Sequence, residues 1–182
     1  MQNAFLKLEK IFNIFADIIG KIASFVMVLM IANVFYDVIA RYFLKSGSIA
    51  MQELEWHFFS IIILLGISYA LKEDGHVRVD LIYDKLSKKK KALINIFGGF
   101  FFIMPIALLI ATGSINFVYE SYSLNEISGD PGGLTHRWLI KAMIPFSFLL
   151  LIITSIGFII KNINIYKGYD HFEKRNTAEN IL

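Results

Sequence analysis

ALINIFGGFFFIMPIALLIATGSINFVY, residues 92–119, runs from Lys91 to Glu120 without a charged side chain. As a helix at about 1.5 Å per residue it is roughly 42 Å long. The hydrocarbon core of a bilayer is about 30 Å thick, so this segment is predicted to tilt, kink or protrude. Three further runs flank it. Residues 22–36 lie between Lys21 and Asp37, and the apolar pattern continues past Asp37 and Arg41 to Phe43. Residues 56–71 lie between Glu55 and Lys72, and residues 142–160 between Lys141 and Lys161. These are continuous apolar runs, not the period-2 alternation of a barrel wall. Composition agrees: 56% of the residues are hydrophobic and only 18% charged, against about 25% charged in a soluble domain. Too few polar side chains remain to cover a globule. The predicted fold class is therefore all-α, an integral membrane protein of four transmembrane helices spanning about 21–43, 54–72, 92–119 and 138–161. All of residues 1–182 form one membrane domain.

Lys and Arg set the expected orientation. Fourteen of the 18 bases fall in the N-terminal segment, the middle loop and the C-terminal segment, while Arg41, Lys45, Arg137 and Lys141 fall on the other side. The positive-inside bias then places both termini and the middle loop in the cytoplasm. The resulting excess of basic residues reflects topology and anionic headgroups, not nucleic acid. Tyr42, Trp56, Tyr119, Tyr122 and Trp138 fall where an outer aromatic belt is expected. No small-residue cleavage site follows the first run, which reads as a retained anchor.

Between the spans lie segments of other character. Residues 4–20 place Phe5, Leu8, Ile11, Phe12, Phe15 and Ile18 at helical spacing. Two readings fit: an amphipathic arm in the cytoplasmic interface, which is the expectation, or an early start to the first spanning helix. In the middle loop, Val79, Ile82, Tyr83 and Leu86 at i, i+3, i+4 and i+7 suggest a short amphipathic segment over 77–87, followed by the run Lys88–Lys91. That run reads as a topology lock in contact with headgroups. The outer loop carries Gly129-Asp130-Pro131-Gly132-Gly133; Pro followed by Gly is the signature of a type II turn. Gly98, Gly99, Pro105 and Pro145 mark close packing or kinks. Residues 162–182 form a cytoplasmic tail.

The chemistry of common membrane enzymes and carriers finds no footing. A pump keeps an ionisable group inside the membrane, yet the middle of each run lacks Asp, Glu, Lys, Arg and His. Asp37 falls near the outer interface, where Arg41 at i+4 can neutralise it. His57, His76, His136 and His171 all lie away from mid-membrane, so axial haem ligation is disfavoured. With no Cys in the chain, thiolate metal sites and Cys nucleophiles are excluded. Ser60, Ser68, Ser114, Thr112, Asn33 and Asn116 are expected to hydrogen-bond between helices. The chain is expected to be no enzyme, to hold no cofactor or metal, and to serve a partner.

Certain residues then carry a resemblance. Arg41, Glu53-Leu54, Gly66 and His76-Val77-Arg78-Val79-Asp80 in order, followed by Gly132-Gly133-Leu134, Arg137-Trp138, Lys141 and Ile144-Pro145, resemble the small membrane subunit (Q-type) of tripartite ATP-independent periplasmic (TRAP) transporters. Glu55 adds a second acid beside Glu53, and either can be the residue that makes contact. The resemblance implies a large multi-span partner subunit that carries the solute and sodium sites and moves as an elevator. It implies a soluble periplasmic binding protein that delivers an organic acid, and a location in the bacterial inner membrane. Candidate interface or motif residues are Asp37, Arg41, Glu53, Glu55, Gly66, His76, Arg78, Asp80, Asp130, Gly132, Gly133, Arg137, Trp138, Lys141 and Pro145. Two competing readings are a stand-alone dimeric ion-coupled exporter and the membrane anchor of a redox complex.

Overall fold

A computed structural model of the chain describes residues 2–75, 83 and 85–169. Among them there is no strand, and four helices are long and apolar enough to cross a membrane. They are α1 (Gln2–Phe43), α2 (Ile49–Lys72), α3 (Lys88–Ser123) and α4 (Trp138–Lys167). Each helix runs further than its charge-free stretch. Hydrophobicity marks where lipid begins, whereas a helix continues until something breaks its hydrogen-bond ladder. Residues 4–20 accordingly form no separate element but the first turns of α1, which is 42 residues long. A straight helix of that length measures about 63 Å, roughly twice the hydrocarbon thickness. Of the middle loop, His76, Arg78, Asp80 and most of the 77–87 segment lie outside the described residues, as does the tail beyond residue 169.

Inside α3 the ladder widens to a π-turn at Gly99–Ile103, where the Met104 N–H donates to the Gly99 carbonyl. Pro105 explains its place. Proline has no N–H, and in a straight α-helix its ring would press on the carbonyl four residues back, that of Phe101. The wider turn lets that carbonyl move aside. Gly99 sits where a Cβ would lie 3.0 Å from Ile159 Cγ1, so the bulge also brings α3 close to α4.

Helix α4 is the hub, packing on α1, α2 and α3, while α1 packs chiefly on α2 and α4. Its buried stripe includes Ser147, Leu151, Thr154, Ser155, Phe158 and Asn162, at helical spacing. Leu151 and Phe158 join Leu71 of α2 and Ala107 of α3 in one core cluster; Ile19, Ala23 and Leu65 form a second. Association in lipid rests on close packing, and here it is tight. A Cβ at Gly20 would lie 2.4 Å from Tyr69 Cδ2, and one at Gly157 2.4 Å from Phe12 Cβ.

Polar bonds between helices are made by few of the residues expected to make them. Asn33 Nδ2 donates to the Met51 carbonyl at 2.9 Å, tying α1 to α2. Ser60, Thr112 and Ser114 instead donate to carbonyls of their own helices, at Trp56, Leu108 and Ile110. A short hydroxyl satisfies itself one turn back without waiting for a neighbour. The other cross-links lie at the end of the bundle opposite the 124–137 loop. Asn95 Nδ2 donates to Asn162 Oδ1 at 2.9 Å, Asn164 Nδ2 to Glu9 Oε2 at 2.6 Å, and Lys72 Nζ to Asp17 Oδ1 at 2.6 Å.

Candidate partner-docking site

The loop between α3 and α4, residues 124–137, is folded onto the start of α2. Pro131 presets the first corner of a tight turn and Gly132 the second, with φ at +83°. The Gly133 N–H then closes on the Asp130 carbonyl at 3.0 Å, which is the type II turn expected from the Pro-Gly pair. Ser128 N–H donates to the Leu134 carbonyl at 3.0 Å, and Asp130 N–H to Ser128 Oγ at 3.2 Å. These bonds draw residues 128–134 into a compact knot.

Glu53 fastens that knot to α2. One carboxylate oxygen accepts from the Ser128 hydroxyl, the other from the Leu134 N–H at 2.6 Å. Hydrogen bonds to a charged acceptor each contribute about 1.5–3 kcal/mol. Gly133 leaves room for this: a Cβ there would lie 2.5 Å from Ser128 Oγ and 2.8 Å from Glu53 Oε2. Glu55, two residues on, takes no part in these bonds. His57 Nδ1 lies 2.6 Å from the Glu53 carbonyl, one turn back.

A second carboxylate holds the other end of the loop. Glu126 accepts from the Lys141 ammonium, and Arg137 Nε lies 3.9 Å from its other oxygen. The Arg137 N–H donates to the Glu126 carbonyl at 3.2 Å. Lys141 also sits 4.0 Å from the centre of the Phe117 ring, a cation–π contact that ties α4 to α3. Trp138 stands edge-on to Tyr122, with centroids 5.4 Å apart. Pro145, one turn after Lys141, cannot donate to the Lys141 carbonyl.

The remaining expected residues are placed as follows. Asp37 is only 3% exposed and bonds to the half-exposed Arg41 four residues on. Gly66 meets nothing within 4 Å of where a Cβ would be, so it offers an open face. Glu53, Gly132 and Gly133 come together in the knot, and Arg137 with Lys141 at Glu126. Sequence reasoning missed Ser128 and the Leu134 amide, which lie 75 and 81 residues from Glu53. No local pattern links positions so far apart.

The Lys141 ammonium, donating to Glu126, holds that carboxyl below its ordinary value of 4.5. A lowered carboxyl pKa stabilises the folded loop above the ordinary value, and the benefit is lost as pH falls through the lowered one. Hydrogen exchange at the Arg137 amide is therefore expected to stay flat above pH 4.5, after correction for intrinsic rates, and to accelerate in stronger acid. Glu126→Gln should abolish that acid step; an unchanged profile in the variant would place the titrating group elsewhere.

Comparison with known proteins falls on the same region. The family described as "Tripartite ATP-independent periplasmic transporters, DctQ component" matches residues 30–164, which include Glu53, Ser128, Gly133 and Leu134. A TRAP transporter small permease protein of Haemophilus influenzae strain Rd is 29% identical over 138 residues, covering 75% of this chain and 86% of that protein. A second small permease protein of the same strain is 27% identical over 97 residues, covering 53% of this chain and 58% of that protein. The sialic acid TRAP transporter permease protein SiaT of strain 86-028NP is 25% identical over 115 residues. That match takes in 63% of this chain but only 18% of SiaT, a much longer protein.

Proposed function

Because the chain belongs to the DctQ-component family of TRAP transporters, and is thus a small permease subunit with four membrane-crossing helices, we propose that it is the non-catalytic scaffold of a sodium-coupled organic-acid importer. It braces a large multi-span subunit in the bacterial inner membrane and helps to dock a periplasmic solute-binding protein. Both termini and the loop after α2 face the cytoplasm, and the 124–137 loop faces the periplasm. Sodium and solute bind in the large subunit; this chain needs no cofactor of its own. The first turns of α1 pack on the last turns of α4 through Phe12 against Gly157 and Glu9 against Asn164, which resists tilting of the bundle.

The observation that carries the reading is where the polar chemistry sits. Glu53 and Glu126 are both spent on holding one loop in a fixed shape, and a preformed surface binds a transient partner without paying to order itself. Asp37, the buried acid, is neutralised by Arg41. The match to a small part of SiaT supports a large permease partner, and sialic acid, for which that protein is named, supports an acidic solute.

A pull-down of the tagged chain in mild detergent from its native membranes, followed by mass spectrometry, tests the assembly. A stoichiometric multi-span partner is expected. Recovery as a homodimer alone would favour an exporter. Asp37→Asn separates the two in function. Asparagine still accepts from Arg41, whose half-exposed guanidinium keeps water as a partner, so the substitution leaves no unpaired charge buried. Solute uptake should therefore stay within about twofold of wild type; its loss would point to Asp37 as a coupling group.

A further inference from the structure

At the start of α3 four exposed ammonium groups gather. Lys85, Lys88, Lys89 and Lys90 are exposed, the first turn of α3 carries no acid, and none of the four has a carboxylate partner among the described residues. Of the described acids at this end of the bundle, Asp17 and Glu73 hold Lys72, and Glu9 holds Asn164. Lys91 differs from its neighbours. Its ammonium lies over the Tyr83 ring at 4.8 Å, and the Tyr83 hydroxyl donates to Asn95 Oδ1 at 3.0 Å. One lysine of the run is thus turned onto Tyr83, which precedes the helix, and the other three are exposed.

Geometry says what they face. Helical side chains tilt toward the N-terminus, and residues 88, 89 and 90 are spaced about 100° apart around the axis. The ammoniums therefore form a collar around and beyond the helix start. Exposed apolar Leu93, Ile94 and Phe97 follow within about two turns, which puts the collar at the boundary where hydrocarbon gives way to headgroups. A soluble polyanion would meet the charges but not the apolar surface next to them. Polybasic clusters directly beside a spanning helix attract anionic lipid.

We propose that Lys85, Lys88, Lys89 and Lys90 form a binding site for the phosphate headgroups of anionic phospholipid, which fixes the depth of α3 in its leaflet. The inference rests on α3 crossing the bilayer, not on the transport role, so it survives if no large partner is found.

The test reconstitutes the full chain in bilayers of equal parts phosphatidylcholine and phosphatidylglycerol and measures the lipids it retains by native mass spectrometry. Wild type should retain phosphatidylglycerol severalfold over phosphatidylcholine. The Lys85→Gln/Lys88→Gln/Lys89→Gln/Lys90→Gln variant should retain both equally, and replacement of all four by Arg should keep the preference. Since these lysines also bear on insertion, a single cysteine at Ser87, unambiguous in a chain without Cys, reports which side the segment occupies. Wild type supplies a second arm that needs no variant. Raising salt from 0.1 M to 1 M shortens the screening length from about 10 Å to about 3 Å, and the preference should fall. Equal retention by wild type, or a preference intact in a correctly inserted Gln variant, would overturn the proposal. Displacement of the lipid by inorganic phosphate at an ionic strength where chloride leaves it bound would overturn it too, because a free anion would then be the ligand.

Discussion

Replacing Gly133 with alanine is expected to lower solute uptake roughly tenfold or more, a change worth about 1.4 kcal/mol or above, while the chain still reaches the membrane. The added methyl would stand 2.5 Å from Ser128 Cβ and Oγ and 2.8 Å from Glu53 Oε2. None of these atoms can yield easily. Glu53 is fixed in the second turn of α2, and Ser128 is bonded both to that carboxylate and to the Asp130 N–H. The loop must lift, and it then gives up the Leu134 and Ser128 bonds to Glu53. Two charge-assisted bonds of about 1.5–3 kcal/mol each are at stake. The helices themselves pack elsewhere, so folding and insertion should be spared.

Neighbouring glycines make the prediction sharp. Gly129 has nothing within 4 Å of a would-be Cβ, and its alanine variant should behave as wild type. Gly132 has open space but a φ of +83°; alanine there strains the turn by about 1–3 kcal/mol without touching Glu53. Its effect should fall between the other two. Uptake by the reconstituted transporter, alongside membrane levels by immunoblot, reads all three. An equal loss at all three positions, or none at Gly133, would show that the Glu53 knot does not set the docking surface.

What could be foreseen follows from the range of the physics involved. A run such as 142–160 admits one interpretation in lipid, because a bilayer offers its backbone no hydrogen-bond partner other than its own helix. The Asp37–Arg41 pair is legible for the same local reason: i and i+4 share a helix face. Pro131-Gly132 states its turn outright. The Glu53 knot was invisible, since its partners are set by how α2 meets a loop 75 residues away. Glu55 looked as good a candidate, and only the packed structure separates them. The extent of α1 was hidden differently. Lys7, Lys10 and Asp17 interrupt the apolar pattern without interrupting the helix, and they read as the border of an element although α1 runs straight through them.

That stretch of α1 bears on the second large effect. Gly157→Leu is expected to remove most of the folded protein from the membrane. A Cβ at Gly157 would lie 2.4 Å from Phe12 Cβ, an atom attached directly to the α1 backbone, so no rotamer change can clear it. One helix must move away from the other. Overpacking of this kind costs about 1–3 kcal/mol in a core. Here the displacement also pulls on the Asn164–Glu9 bond and on Lys167, which sits 4.9 Å from the Phe5 ring. Since α4 is the hub, its other contacts feel the shift. The clash itself can be isolated with the smaller Gly157→Ala. Combined with Phe12→Gly, which removes the opposing Cβ, it should recover part of the lost thermal stability, although glycine within a helix costs about 1 kcal/mol. Gly113→Ala, with nothing within 4 Å, should leave the unfolding temperature unchanged. Additive losses in the double variant would mean that the two helices do not meet at Phe12 and Gly157. The N-terminal turns of α1 would then be free to leave α4, and the arm would be anchored by lipid alone.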